Sequence, residues 1–280
     1  MDYMEIAKLI VSILGFGGTI CALYFGFRQY KRAEQWKRAE FVAKEIKEFE
    51  SDPVVRNVLQ MIDWGERRVN IFQRDDIEYD QYVKVTREDQ WRALLPHRLK
   101  EAYPSTEVGE WDVGKKRYTA EETKIRDGYD IFLDYLQRFG NFIEAKLVSP
   151  DELRPYLSYW LESIAYGDAQ EDSEWRCALL SYINYYKFSG VVKLFAAYGF
   201  DISPDGQIYN DLKNQMAKQE LFDALLFLVT RGLYRQNKEE FEPKLEACKQ
   251  AESTRRGTAK TSGSAMETLE NLPRKRIETL

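Results

Sequence analysis

The feature that most constrains this chain is an uncharged apolar run near its amino end. Residues 9–27, LIVSILGFGGTICALYFGF, are nineteen consecutive residues without a charged side chain. The wider stretch 6–27 has twenty-two residues, and Lys8 lies within its first turn. At about 1.5 Å per residue, a helix of that length spans about 33 Å, enough for a hydrocarbon core of about 30 Å. The run therefore predicts a transmembrane helix at 6–27.

A cleaved signal peptide is the main alternative for such a run. It would need a basic region in front, a shorter apolar stretch and small residues at the cleavage site. Here the acidic residues Asp2 and Glu5 precede the run, and Ile20 before Cys21 is too bulky for a lipoprotein signal. We therefore expect an anchor that is not cleaved.

Basic residues directly after the run predict its orientation. They are Arg28, Lys31, Arg32, Lys37 and Arg38. Because an excess of Lys and Arg stays on the cytoplasmic side, we expect a single-pass inner-membrane protein. Residues 1–5 would form a short extracytoplasmic N-terminus, and everything from residue 28 would be cytoplasmic. We also expect these five side chains to contact the anionic headgroups of the inner leaflet, at about 1 kcal/mol each. The alternative, that they only set topology, is compatible with this.

Small residues within the run suggest self-association. Gly18, Ala22 and Gly26 are spaced by four, so they share one helix face, and small residues there let two helices approach closely. The alternative is that small residues are simply common in membrane helices. A homo-oligomer through this face is thus one option for the chain.

The rest of the chain has the pattern of a mainly α fold. Residues 28–50 contain no Gly or Pro, which predicts a basic juxtamembrane helix continuing from the anchor, with a stripe from Tyr30 and Trp36 to Phe49 facing the domain. Capping boxes at residues 119–122 and 149–152 predict two helix starts. Further helices are predicted at 88–103 and 211–234.

The domain organisation follows from these elements. Asp52-Pro53 predicts the start of a helix, and an all-α cytosolic domain is expected at 51–250. Alternating apolar residues, Val69 and Ile71 followed by Val83 and Val85, also allow one small β-hairpin. Residues 251–280 are rich in Ser, Thr, Gly and Lys, which predicts a disordered tail.

Composition and motifs indicate no catalytic, cofactor or metal site. With one His and three Cys, the chain lacks the residues for a His/Cys zinc site of paired ligands or a disulfide framework. A net charge of −5 argues against nucleic acid as a partner. The segment Gly109–Lys116 approximates a phosphate-binding loop, but it lacks the final hydroxyl and the preceding strand. The acidic stretch 75–80 is best explained as a solvated turn, and the solitary His97 as a surface or packing residue.

Two further clusters have a chemical and a structural interpretation. Asp127, Asp130 and Asp134 lie on neighbouring turns of one predicted helix; they could serve a carboxylate-dependent reaction, but structural roles beside basic residues are favoured. Aromatic residues at helical spacing could line a pocket, although core packing is favoured. This aromatic group comprises Tyr156, Tyr159, Trp160, Tyr182, Tyr185 and Tyr186.

The order of features resembles a bacterial family of unknown function that has one N-terminal membrane helix and a helical cytosolic domain. The stretches that carry the resemblance are WKRAEFVAKEIKEFESDPVVRNVLQMIDW at 36–64 and RDGYDIFLDYLQRFGNFIEAKLVSPDELRPYLSYW at 126–160. The family has no assigned activity, so the resemblance implies an architecture and no catalytic residue.

These observations favour a membrane-anchored protein with a non-enzymatic helical domain for interaction or regulation. Its expected partners are membrane lipid and a protein whose identity the sequence does not give. One alternative is an oligomerising effector that perturbs the membrane, as in bacterial defence. The other is a membrane-bound enzyme that uses carboxylates.

Overall fold

The computed structural model describes residues 3–72, 82–100, 102–103, 118–167, 172–231 and 242–254, without the side chains of residues 5–15 and 231. The acidic stretch 75–80, the loop-like segment at 109–116 and the predicted tail beyond residue 254 lie outside the described residues.

Helices dominate the described chain, which confirms the predicted mainly α class. The helices are α1 Tyr3–Ser51, α2 Pro53–Asp63, α3 Arg87–Leu94, α4 His97–Lys100, α5 Ala120–Glu144, α6 Pro150–Ala165, α7 Ser173–Tyr185, α8 Ser189–Ala197, α9 Gln207–Gln215 and α10 Gln219–Arg231. Residues 242–254 are also helical. The small hairpin forms as well, from the antiparallel strands β1 Glu66–Val69 and β2 Val83–Thr86, with Glu66 opposite Thr86.

Local sequence signals explain where several helices begin. The Asp52 carboxylate accepts a hydrogen bond from the Val54 amide at 2.8 Å, which caps α2. Both predicted capping boxes form: Thr119 with Glu122 starts α5, and Ser149 with Glu152 starts α6. Each satisfies backbone donors that the first turn of a helix leaves unpaired.

Two predicted helices are wrong in extent, since each is interrupted. The helix predicted at 88–103 stops at Leu95, whose ψ of 138° is extended, because the residue before Pro96 is disfavoured in the α conformation. The helix predicted at 211–234 is divided at Met216, whose ψ is 131°. The Gln219 side-chain amide donates to the Lys213 and Met216 carbonyls there, so the break has its own hydrogen bonds.

Helix α5 lies at the centre of the core. It packs against α2, α3 and α8, and its side chains Ile125, Tyr129, Phe132, Leu133, Leu136 and Phe139 are fully buried. Its closest neighbour is α8: a Cβ on Gly140 would lie 1.9 Å from the carbonyl oxygen of Gly190. Only two glycines facing each other allow the two backbones to approach this closely.

The base of α1 is part of this core. Val42, Ile46 and Phe49 are buried, and the Phe49 ring lies 5.6 Å from the rings of both Tyr135 and Phe139. The predicted packing stripe is wrong in its first half, because Tyr30 and Trp36 are exposed. They lie on the part of α1 that extends beyond the domain.

The helix at 242–254 covers part of the domain and extends into the predicted tail. Leu245 and Cys248 are buried, and the Glu252 carboxylate lies 3.3 Å from the Arg92 guanidinium. This ion pair joins residues 160 positions apart in the chain. Residues 251–254 are therefore helical, where disorder was expected.

Candidate functional site

The part of α1 that extends beyond the domain is the candidate site. Residues 16–40 are exposed throughout. The exposed residues include large apolar side chains: Phe16 is 71% exposed, Leu23 69% and Phe27 59%. The domain covers none of these described side chains, which is unusual for so many large apolar groups on one element.

The five predicted headgroup-contacting residues all lie on this exposed stretch. The Lys31 ammonium lies 4.7 Å from the centroid of the Phe27 ring, and the Arg38 guanidinium donates to the Glu34 carboxylate at 2.8 Å. Arg28, Lys31, Arg32, Lys37 and Arg38 are exposed, so they form a basic band between the apolar segment and the domain.

The three predicted self-association residues are also exposed on α1. A Cβ added to Gly18 or Gly26 would meet no atom within 4 Å. Ala22 and Gly26 lie in a shallow groove of about 520 Å³ that Thr19, Leu23, Phe27 and Tyr30 border. The small-residue face is therefore unoccupied by the described part of this chain.

Over the residues described, no helix combines the length with the apolar character that crossing a membrane requires.

The three aspartates on α5 lie in different environments. Asp127 pairs with Lys124 at 3.2 Å, and Asp130 accepts a hydrogen bond from the Tyr182 hydroxyl at 2.5 Å. Burial raises the pKa of Asp130, while the Tyr182 hydrogen bond and Arg126 oppose that rise. Asp134 is exposed.

The sequence indicated Arg126 as a basic residue near these aspartates, but not that several aromatic residues gather around it. The Arg126 guanidinium donates to the Leu95 carbonyl at 3.1 Å and to the Tyr186 hydroxyl at 2.6 Å. It also lies 4.8 Å from the centroid of the Tyr182 ring and 5.2 Å from that of Tyr118. Two of the aromatic residues considered as pocket candidates thus join α5 to α7. Tyr159 is elsewhere, where its hydroxyl donates to Asp63.

A second network that the sequence did not indicate fixes α2, α3 and α7 together. Arg87 pairs with Asp172 at 2.5 Å and donates to the Met61 and Ile62 carbonyls at the end of α2. Its guanidinium also lies 4.2 Å from the centroid of the Trp175 ring. These partners are distant in sequence, so no local pattern could have revealed them.

A polar cavity of about 510 Å³ lies beside the start of α3 and of α5. Its charged lining residues are Lys84, Glu88, Asp89, Arg92, Glu121 and Glu122. Asp89 and Glu122 are engaged in the two capping boxes, and Glu88 pairs with Arg92 at 2.7 Å. Among the described residues, no group of three or more His, Cys, Asp or Glu side chains could hold a metal ion.

Glu122, which lines this cavity, forms a buried ion pair with Lys100. The Lys100 ammonium donates to the Glu122 carboxylate at 2.5 Å. The Lys100 side chain has no exposed surface. Burial lowers the pKa of Lys100 to about 8, and the Glu122 hydrogen bond opposes that decrease. The pair connects α4 to the start of α5.

Comparison with known proteins finds no matching protein-family model, no matching curated protein and no matching solved structure. The likeness to a bacterial family therefore stays a resemblance in the order of features.

Proposed function

We propose that this protein is a single-pass inner-membrane protein whose α1 anchors a helical, non-enzymatic domain for interaction or regulation at the cytoplasmic surface. The observation that carries the proposal is the organisation of α1. One unbroken helix runs from the apolar segment through the basic band into the core of the domain.

The exposed apolar side chains support the anchor. Phe16, Leu23 and Phe27 lie on one face of the helix and Phe25 lies on the opposite face, since successive residues are rotated by about 100°. A helix that is apolar on all sides is found in a protein core or in lipid. The sequence extends this character over 6–27, of which the side chains up to residue 15 lie outside the described part.

The basic band supports the orientation. Its residues follow the apolar segment on the side of the domain, where the positive-inside rule places the cytoplasm. Because they are exposed, those that lie near the surface can attract anionic headgroups, at about 1 kcal/mol each.

Membrane fractionation of the full-length chain tests the anchor. We expect the protein in the membrane fraction, resistant to extraction with alkaline carbonate. The double variant Phe16→Arg/Ile20→Arg, near the middle of 6–27, should move to the soluble fraction, because each Arg at the centre of a span costs about 2.5–3.5 kcal/mol by insertion scales. Trp36→Arg, an exposed position of the same helix outside the apolar run, is the matched control and should stay membrane-bound. Wild-type protein in the supernatant without detergent would overturn the proposal.

Protease protection tests the orientation in the same preparations. A C-terminal tag should resist external protease in intact cells and should be digested once the membrane is opened. Digestion in intact cells would invert the topology while leaving the anchor in place.

The alternative of an oligomerising effector is favoured by one observation, the unoccupied groove over Ala22 and Gly26. Small residues in such a groove allow close helix packing in lipid. This alternative requires the same anchor and differs in requiring more than one copy, so it is tested by crosslinking, as described in the Discussion.

A further inference from the structure

The apolar segment and the domain are separated by a helix of defined length. No Gly or Pro interrupts α1 between Phe27 and Ser51. The first α1 side chain packed on the core is Phe41, whose ring centroid lies 5.0 Å from that of Phe142. Residues 27 and 41 are fourteen positions apart, which corresponds to about 21 Å along the helix at 1.5 Å per residue.

Contacts at the base of α1 restrict both tilting and rotation of this helix relative to the domain. The Phe49 ring is 1% exposed and lies among three aromatic rings of α5. On the adjoining surface, Arg138 lies 3.3 Å from Glu48 and 3.7 Å from Glu45. A rotation of α1 would break the ring contacts and the ion pairs together, because both lie on the side of α1 that faces α5.

We infer that α1 is a rigid spacer that holds the domain at a fixed height and rotational orientation relative to the bilayer. This inference rests on the proposed membrane anchor. It adds that the domain does not lie on the lipid and is not on a flexible tether.

The height follows from the direction of α5. Phe49 packs beside Phe132 and Phe139, and Phe41 packs beside Phe142, so α5 runs antiparallel to α1 and its end at Glu144 is directed towards the apolar segment. That end lies about 18 Å from Phe27 along the helix axis, at 1.5 Å per residue. The headgroup layer occupies about 5–8 Å of this distance. About 10 Å remain between the headgroup layer and this end of α5, close to the Debye length of about 8 Å at physiological ionic strength.

The same geometry divides the basic band. Arg28, Lys31 and Arg32 lie within about 8 Å of the end of the apolar segment, inside the headgroup layer. Lys37 and Arg38 lie about 15–17 Å from it, beyond the headgroups and next to the domain. With a rigid spacer, direct lipid contact is therefore expected for Arg28, Lys31 and Arg32.

Energy transfer from the domain to labelled lipid tests the spacer in the full-length chain. A donor dye is attached to Leu147→Cys, at an exposed position after α5, in a Cys21→Ala background. Burial raises the pKa of Cys177 to about 12 and of Cys248 to about 11, so these thiols react slowly. The protein is reconstituted in vesicles of phosphatidylcholine and phosphatidylserine that carry an acceptor lipid.

Two insertions between Gln35 and Trp36 provide matched variants, seven helix-forming residues and seven Gly/Ser residues. The helical insertion should move the donor about 10 Å further from the acceptor plane, with little rotation because seven residues are nearly two turns. The Gly/Ser insertion should instead broaden the distance distribution. A wild-type donor at the headgroups, or a distance unchanged by the helical insertion, would overturn the spacer. Failure of the unmodified chain to float with the vesicles would overturn the anchor itself, and with it the spacer.

Discussion

The close approach of α5 and α8 predicts that Gly140→Ala destabilises the domain strongly. The added Cβ would lie 1.9 Å from the Gly190 carbonyl oxygen and 2.6 Å from its carbonyl carbon. Both distances are far below van der Waals contact, and the obstructing atoms belong to backbone that cannot rotate away. The two helices must separate, which disturbs buried neighbours such as Phe139 and Leu194.

The magnitude follows from two opposing effects. Extra atoms in a packed core cost about 1–3 kcal/mol, occasionally more, whereas Ala is about 1 kcal/mol more favourable than Gly in a helix interior. Since backbone atoms obstruct the new methyl group, the upper part of that range applies, and the net loss should be about 2 kcal/mol or more. Gly128→Ala in the same helix is the matched control. Its Cβ would lie 3.3 Å from a side-chain methyl group of Val58, not from backbone, so its free energy of unfolding should stay within about 1 kcal/mol of wild type.

Urea unfolding of the full chain in detergent micelles measures the difference, followed by the fluorescence of the buried Trp91 and Trp175. Gly140→Ala should lower the urea midpoint with little change in the slope, and Gly128→Ala should barely move it. Equal midpoints for the two variants would refute the argument that backbone contact between α5 and α8 limits this position.

Two further predictions concern the buried ion pair and the groove on α1. Because burial lowers the pKa of Lys100 from 10.5 to about 8, the unfolded chain binds one more proton between these values, so the contribution of Lys100 to stability rises with pH in that window. The free energy of unfolding of wild type minus that of Lys100→Met, measured by urea unfolding, should increase from pH 8 to 9.5; a constant or falling difference would contradict this assignment. If α1 self-associates, chemical crosslinking in membranes should give dimers or larger species that Gly18→Leu and Gly26→Leu abolish, while Tyr24→Leu on the opposite face leaves them intact. Monomers alone in the wild type would remove the oligomeric alternative.

Predictions succeeded where a few neighbouring residues determine the structure. Asp52 before Pro53 caps α2, and the boxes at Thr119 and Ser149 start α5 and α6. In each case the cap lies within three residues of the group that it satisfies, so the local sequence contains the whole interaction. The hairpin was indicated in part by local alternation: Val83 and Val85 both lie in β2, whereas of Val69 and Ile71 only Val69 lies in β1.

Predictions failed for two different reasons. Residues 211–234 have a continuous helical pattern, yet the chain turns at Met216, where the nearby Gln219 side chain satisfies the free carbonyls of Lys213 and Met216. By contrast, Arg87 connects α2, α3 and α7 through partners up to 85 residues away. Helical periodicity contains no information about such partners, so tertiary contacts override it.

The candidate site contains features that the sequence reveals and one that it does not. The basic band and the small residues of α1 could be recognised from sequence, because their exposure follows from an isolated helix. The point at which α1 joins the domain could not. Val42, Ile46 and Phe49 share one face of the helix and are buried, whereas Tyr30 and Trp36 lie outside that face and are exposed. The sequence does not show at which turn this face first meets the domain. The surface of α1 that contacts the domain therefore begins at Phe41. The distance from Phe27 to Phe41 is the length of the spacer. Any function that depends on reaching a membrane-bound partner would then depend on the number of residues between Phe27 and Phe41 more than on their identity.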